Sequence, residues 1–339
     1  PEERLTLLRD PTRPSPWNLS ALAGERVRVV DVPLSPFSPR QQWVIPRILR
    51  RLQAGLYHSP YYLMPYRPGV PTVLTVYDVI PLKFPAQSTF QARMLFRWTM
   101  GMALHAARLV VAISEATHRD LAQHFSVAPE RMRVTPLAAD PVFSPRPLAE
   151  VDALRRRYGL PESFVLYVGS NKPHKNLARL VEAWAQTTDS GICSTLVIAG
   201  PWDPRYPEPR RRAEQLGLEN IRWLGPIPEA DLPALYSAAT LFVFPSLYEG
   251  FGLPVLEAMA CGLPVVCSHT SSLPEVAGDA ALLVDPADIR ALAAAIERAL
   301  ADETLRATLQ ARGLERARSF TWEDTAQRTR EVWGAVSDG

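Results

Sequence analysis

The feature that most restricts the fold is an alternation in the second half of the chain: short apolar, β-branched runs, each followed by a stretch with helical periodicity. Runs at Phe164–Val168, Thr195–Ala199, Ile221–Leu224, Leu241–Phe244, Pro264–Cys267 and Ala281–Val284 read as six strands. Helices near 176–187, 208–217, 229–239, 253–261 and 287–302 lie between and after them. This is the pattern of a doubly wound α/β domain, whose parallel sheet binds ligands beyond the carboxyl ends of its strands.

The first half repeats the rhythm less cleanly. Strands are expected at Val27–Val30, Val73–Val76, Leu109–Ile113 and Arg133–Thr135, and helices at Trp43–Leu52, Phe90–Ala107 and Glu115–His124. Ser114 stands where its hydroxyl can accept a first-turn N–H of the last helix. Three prolines between Pro141 and Pro147 can neither continue a helix nor donate within a sheet, so the linker is placed there. The expected organisation is a first α/β domain over 1–145, a second over 146–320, and a terminal helix (321–339) packing back on the first. Two facing domains leave a cleft, a common place for small-molecule sites.

With 339 residues, 47% of them hydrophobic, the chain can fill a core in each domain. No apolar run approaches the roughly 18 residues of a membrane span. The cysteines, Cys193, Cys261 and Cys267, are odd in number, which suits a reducing compartment, and none has zinc-site spacing. Pro-Glu-Glu-Arg at the amino terminus lacks the basic-then-apolar order of a signal peptide and reads as a truncated or processed beginning.

The net charge of +2 hides an asymmetry. Residues 1–150 carry 18 Lys+Arg against 11 Asp+Glu, and residues 151–339 carry 19 against 24, which is +7 and −5. A basic front half suits anionic lipid or a phosphorylated acceptor; it is also what a solvated arginine surface looks like, and nucleic acid is not favoured. Only three of the 37 basic residues are lysine: Lys83, Lys172 and Lys175.

The stretch P-S-L-Y-E-G-F-G-L-P-V-L-E-A-M-A-C-G-L-P-V-V (Pro245–Val266) is the most informative. A strand ends at Phe244, a glycine-bearing turn follows, and a helix starts near Leu253 with Pro254 in its first turn. Gly250 and Gly252 let backbone approach a ligand, and the free N–H groups at the helix start favour an anion. Glu249 and Glu257, eight apart, can project to one cleft and accept paired hydrogen bonds from vicinal hydroxyls of a sugar or ribose. Either glutamate alone reads as a solvated residue; together in this context they point to a ligand. A dinucleotide fingerprint is a poor alternative because Val255 stands where the third glycine should be.

A second constellation, V-G-S-N-K-P-H-K-N-L (Val168–Leu177), is again a strand end opening into a helix. Gly169 permits close approach, Asn176 is a candidate cap, and Lys172, His174 and Lys175 supply the donors a diphosphate needs. The chain contains no Walker loop. In the first half, Tyr57-His58-Ser-Pro and Thr75-Val-Tyr77-Asp78 lie at strand ends, so His58 and Asp78 are expected to meet in the cleft, unless His58 is a structural core histidine.

These residues resemble the retaining GT-B glycosyltransferases with an E-x7-E motif (family 4, group 1), in particular bacterial mannosyltransferase-like enzymes of O-antigen and exopolysaccharide assembly. Supporting stretches are Ser114-Glu-Ala-Thr117, the two constellations above, and S-S-L-P-E-V-A-G-D-A-A (Ser271–Ala281). The resemblance implies two Rossmann-like domains and a hexosyltransferase using a nucleotide-diphosphate sugar, GDP-mannose ahead of a UDP-hexose, with no cofactor. Glu249 then lies beside the donor sugar, Glu257 at the ribose, and Lys175 at the phosphates, with backbone N–H groups of Phe251, Gly252 and Leu253. Glu275 has at most a place in the nucleotide wall. Asp78 joins the catalytic set; His58, Tyr77 and Ser114 form the acceptor side.

The chain departs from the family pattern in two residues: Tyr77 replaces a histidine and His174 an arginine. The first strand–helix unit is also expected to be missing. The absence of D-x-D argues against a metal clamp. The implied partners are a saccharide or lipid-linked acceptor and an anionic membrane, at the cytoplasmic face. The alternatives are a catalytically incompetent nucleotide-sugar-binding or assembly subunit and, further off, a phosphorylase or epimerase of this architecture.

Overall fold

The computed structural model describes residues 4–13, 18–189 and 194–337, so Cys193 lies outside the described residues. The described chain builds three parallel sheets. Strands β1 (Leu5–Arg9) and β2 (Val27–Asp31) pair with each other. After α1 (Gln41–Arg51), strands β3 (Tyr57–Ser59), β4 (Thr72–Val76), β5 (Leu109–Ala112) and β6 (Met132–Val134) form a four-stranded sheet in chain order. Helices α2 (Ile80–Lys83) and α3 (Phe90–Ala106) cross from β4 to β5, and α4 (Glu115–Phe125) from β5 to β6. The proline segment follows without helix or strand until α5 (Leu148–Tyr158).

The third sheet holds β7 (Phe164–Val168), β8 (Thr195–Ala199), β9 (Ile221–Gly225), β10 (Leu241–Phe244), β11 (Val265–Ser268) and β12 (Ala281–Val284). The crossovers are α6 (Leu177–Asp189), α7 (Glu208–Gln215), α8 (Leu232–Ala238), α9 (Leu253–Ala260) and α10 (Leu273–Ala277); α11 (Ile289–Ala301), α12 (Glu303–Arg318) and α13 (Trp322–Ser337) complete the chain. The spatial order β12-β11-β10-β7-β8-β9 reverses direction between β7 and β10. In doubly wound sheets the carboxyl ends flanking such a reversal form a natural crevice. β7 runs into Gly169–Asn176 and β10 into Pro245–Gly252, so the topology brings both sequence constellations to one place.

Packing explains why this sheet is regular. Phe164, Tyr167, Phe242, Phe244 and Trp184 are each at most 1% exposed, and burying a large apolar side chain contributes roughly 1.5–3 kcal/mol. Helix α13 returns to the four-stranded sheet, where Val332 and Val336 pack on Val73, Leu109 and Val111. Cys261 and Cys267 are buried free thiols, each pushed up to about 12 by burial. No helix of the described residues is long and apolar enough to cross a membrane.

The structure adds elements the sequence reading did not identify: β1, β3, α2, α5, α10 and α12. Helix α8 starts at Leu232 rather than 229 because Glu229–Asp231 forms a separate 3-10 turn.

Candidate active site

The centre of the crevice is an ion pair. Lys175 Nζ donates to both oxygens of Glu249, at 2.6 and 2.9 Å. Both groups are largely withdrawn from water, with side-chain exposures of 17% and 10%. The ammonium also sits 5.3 Å from the centroid of the Phe244 ring. Glu249 is fixed from behind: its N–H donates to Ser271 Oγ at 3.0 Å, and its carbonyl accepts from Ser271 and, at 3.0 Å, from Ser272.

Gly250 is one of the points where the two halves touch. A Cβ added there would lie 2.1 Å from the Tyr77 carbonyl oxygen and 3.2 Å from Asp78 Cβ, so only glycine permits this approach. The Gly250 carbonyl accepts from Ser114 Oγ at 2.6 Å and Thr117 Oγ1 at 3.3 Å, and Thr117 Oγ1 also reaches the Tyr77 carbonyl at 3.0 Å. Asp78 is thereby held beside Lys175 and Glu249. Burial and the Glu249 charge raise its pKa, against the Ile80 N–H, Lys175 and Lys172.

Further contacts hold the halves together. Glu275 accepts from the N–H groups of Glu115 (2.9 Å) and Ala116 (3.2 Å), the open start of α4, where a carboxylate is favoured by the helix dipole. Glu275, for which the resemblance implies at most a place in the nucleotide wall, thus gives its carboxylate to the α4 N–H groups of the other half. Asp120 of α4 accepts from Tyr248 at 2.7 Å and pairs with Lys83 at 2.6 Å. All three lysines therefore stand at the junction or the crevice.

Other expected residues take different positions. His174 is 3% exposed, and its Nδ1 bonds Gln87 of the first half at 2.8 Å; burial, helped by Lys175 and Lys172, lowers its pKa to about 4, leaving a neutral ring. Lys172 is exposed. The Gly169 N–H is taken by the Ala199 carbonyl. Asn176 does not cap with its side chain; it adopts left-handed backbone and clamps the Pro245 and Pro286 carbonyls. His58 makes no hydrogen bond with Asp78. Its Nδ1 accepts from Trp333 of α13 at 3.0 Å and its Nε2 bonds Thr75 at 2.8 Å, a structural arrangement. Ser114 does cap α4, accepting from the Thr117 N–H, and Tyr77 is 40% exposed at the junction.

In the turn after Gly250, Phe251 is buried against Phe320 and Gly252 adopts φ 109° at the start of α9. The first intrahelical donor is Val255, so the N–H groups of Gly252 and Leu253 stand at the helix's open end. Glu257 lies within α9 and accepts from Tyr236 Oη at 2.9 Å. Burial pushes its carboxyl up to about 7, with Tyr236 opposing and Glu229 adding to the rise. Unfolded glutamate ionises near 4.5, so the folded chain holds this proton more tightly and the resulting stability is present below that value and lost as pH rises through about 7. Glu257→Gln is accordingly expected to melt higher than the parent at about pH 8 and alike at about pH 4, by scanning calorimetry.

Gln87, Asp120, Tyr248 and Glu275 were not assigned these junction roles from sequence. Glu275 and Tyr248 carried a signal, lying in the Ser271–Ala281 and Pro245–Val266 stretches; Gln87 and Asp120 carried none.

A family model described as glycosyl transferases group 1 matches residues 151–316, and one described as glycosyltransferase family 4 matches residues 7–143. The chain is 35% identical to O-antigen chain mannosyltransferase B of Escherichia coli, over 86% of this chain and 76% of that protein. It is 31% identical to the serotype-specific mannosyltransferase WbdA of Escherichia coli over 75% of this chain, spanning about a third (32%) of that longer protein. Among solved structures, sucrose-phosphate synthase of Thermosynechococcus elongatus superposes with a TM-score of 0.72 at 27% identity, over 98% of this chain and 88% of that one. The Anabaena protein HepE in complex with UDP-glucose superposes at 0.76 with 20% identity, over 98% and 99%; that likeness bears on the fold. Matched across both halves by family models and by an O-antigen mannosyltransferase, this chain belongs to the group 1, family 4 glycosyltransferases of GT-B architecture.

Proposed function

We propose that this glycosyltransferase moves a hexose, mannose from GDP-mannose in preference to a UDP-hexose, to a saccharide or lipid-linked acceptor with retention and without a metal. The observation that carries the reading is the Lys175–Glu249 pair. A buried pair is stable only while each member has a partner. A nucleotide-diphosphate sugar replaces both partners at once: phosphate oxygens for the ammonium, sugar hydroxyls for the carboxylate.

The remaining groups divide accordingly. Gly252 and Leu253 N–H groups and Lys172 face the diphosphate, with Gly169, Gly250 and Phe251 shaping its approach, and Glu257 takes the ribose hydroxyls. His174, neutral and bound to Gln87, positions this loop against the first half. Asp78 and Tyr77 stand on the acceptor side. In transfer the anomeric carbon–phosphate oxygen bond breaks, the acceptor oxygen bonds to the same face, and its proton passes to the leaving diphosphate. Lys175 stabilises the negative charge that develops there, as preorganised donors do in other active sites. The mannose preference is supported by the relatives named as mannosyltransferases, and the membrane-face acceptor by the basic first half.

The test is a melting panel with GDP-, UDP- and ADP-sugars, followed by NMR of the product anomer with and without chelator. Selective stabilisation by GDP-mannose, a retained anomer and unchanged rate in chelator are expected. An inverted product or chelator-abolished transfer would overturn the mechanism.

A further inference from the structure

Helix α3 is apolar on both faces. Phe96, Met100, Ala103 and Leu104 are buried against the four-stranded sheet. The opposite face presents Phe90 (65% exposed), Met94 (48%), Leu95 (59%) and Trp98 (64%). A helix that is hydrophobic all round is normally enclosed, and clustered exposed apolar residues mark a surface that meets something else. Beside them runs an open groove of about 620 Å³, lined by Tyr66, Arg67, Met94, Arg97, Trp98 and Met102 among others.

The charge of this region identifies the partner. Residues 32–114 hold nine Lys+Arg and one acidic residue, Asp78, which faces the crevice. Neither Arg67 nor Arg97 forms an ion pair among the described residues, and both are exposed. Tryptophan and arginine around an apolar stripe suit the boundary between lipid headgroups and acyl chains. A second copy of the chain would bring like charges together.

We infer that the outer face of α3, with Arg67 and Arg97 at its rim, docks on an anionic phospholipid bilayer. The inner side of the same helix gives the docking a purpose. Phe96 and Met100 wall a pocket of about 100 Å³ with Tyr61, Tyr62, Tyr77 and Asp78. A saccharide carried on a lipid in the docked bilayer therefore lies one helix away from Asp78. The inference rests on the lipid-linked acceptor reading for its purpose, but its measurement needs no sugar transfer.

The experiment is flotation of the full chain with vesicles of phosphatidylglycerol and phosphatidylethanolamine, against pure phosphatidylcholine. The parent is expected to float with anionic vesicles and to be released by high salt. Leu95→Ser/Trp98→Ser and, separately, Arg67→Glu/Arg97→Glu are each expected to lower the partition constant by about ten-fold or more, with unchanged melting temperature and unchanged GDP-mannose thermal shift. Parent protein that ignores lipid charge, or a serine variant that binds vesicles like the parent, overturns the inference. So does sedimentation showing a dimer that the serine variant dissociates while vesicle binding persists, since the face then belongs to a second copy. A lost thermal shift in the parent refutes the donor assignment and leaves the vesicle result standing.

Discussion

Lys175→Ala will lower the turnover of sugar transfer by about 10²–10³-fold, the scale on which removing one preorganised donor acts. The ammonium is the cation bonded to Glu249 in the crevice, so in the proposed reaction it is the group that meets charge on the leaving diphosphate. The substitution also leaves Glu249, 7% exposed, without its counter-charge, and breaking a buried pair from one side costs about 3–5 kcal/mol. Stability and chemistry can be separated. Lys175→Met combined with Glu249→Gln removes both charges together, so its melting temperature is expected to recover towards the parent value while turnover stays low. Single-turnover kinetics and calorimetry on the three proteins check this; a double variant that regains turnover would remove Lys175 from the chemistry.

Gly250→Ala is expected to cost about 10² in turnover, with all three sheets still folded. The new methyl would stand 2.1 Å from the Tyr77 carbonyl, so the halves must separate, and a misplacement of about 1 Å is worth roughly that factor in a reaction that depends on orientation. Glycine here serves proximity, since its φ is not in the left-handed region. Glu275→Ala, which frees the start of α4, is expected to act in the same direction and more weakly. Small-angle scattering with donor bound reads the separation directly; an unchanged radius of gyration and turnover in Gly250→Ala would show that the contact at Tyr77 has no part in catalysis.

The strands of the third sheet were legible because parallel strands covered on both faces read as continuous apolar runs. Phe164–Val168, Thr195–Ala199, Leu241–Phe244 and Ala281–Val284 coincide with β7, β8, β10 and β12. Elements without such a signature escaped. β3 is three residues, Tyr57-His-Ser, and α12 is charged around most of its circumference, with Leu309 and Gly313 its buried residues. Seventeen residues (10–26) separate β1 from β2, and nothing local in Leu5–Arg9 indicates the partner it finds.

Within the crevice, the order of residues alone places glycines, carboxylates and lysines at the ends of two strand–turn–helix units, because each unit is a local instruction spanning about ten residues. Their convergence is a property of sheet order, since β7 and β10 are neighbours in space and separated in the chain by two intervening strands. The junction is more remote still: Ser114 meets Gly250 at a separation of 136 residues, Glu115 meets Glu275 at 160, and Trp333 meets His58 at 275. A serine before a helix announces a cap to its own first turn, and no pattern around it names a carbonyl in the other half. Which partner each polar group finds was decided by tertiary structure, because a hydrogen bond needs its atoms about 3 Å apart and only the folded chain sets that distance.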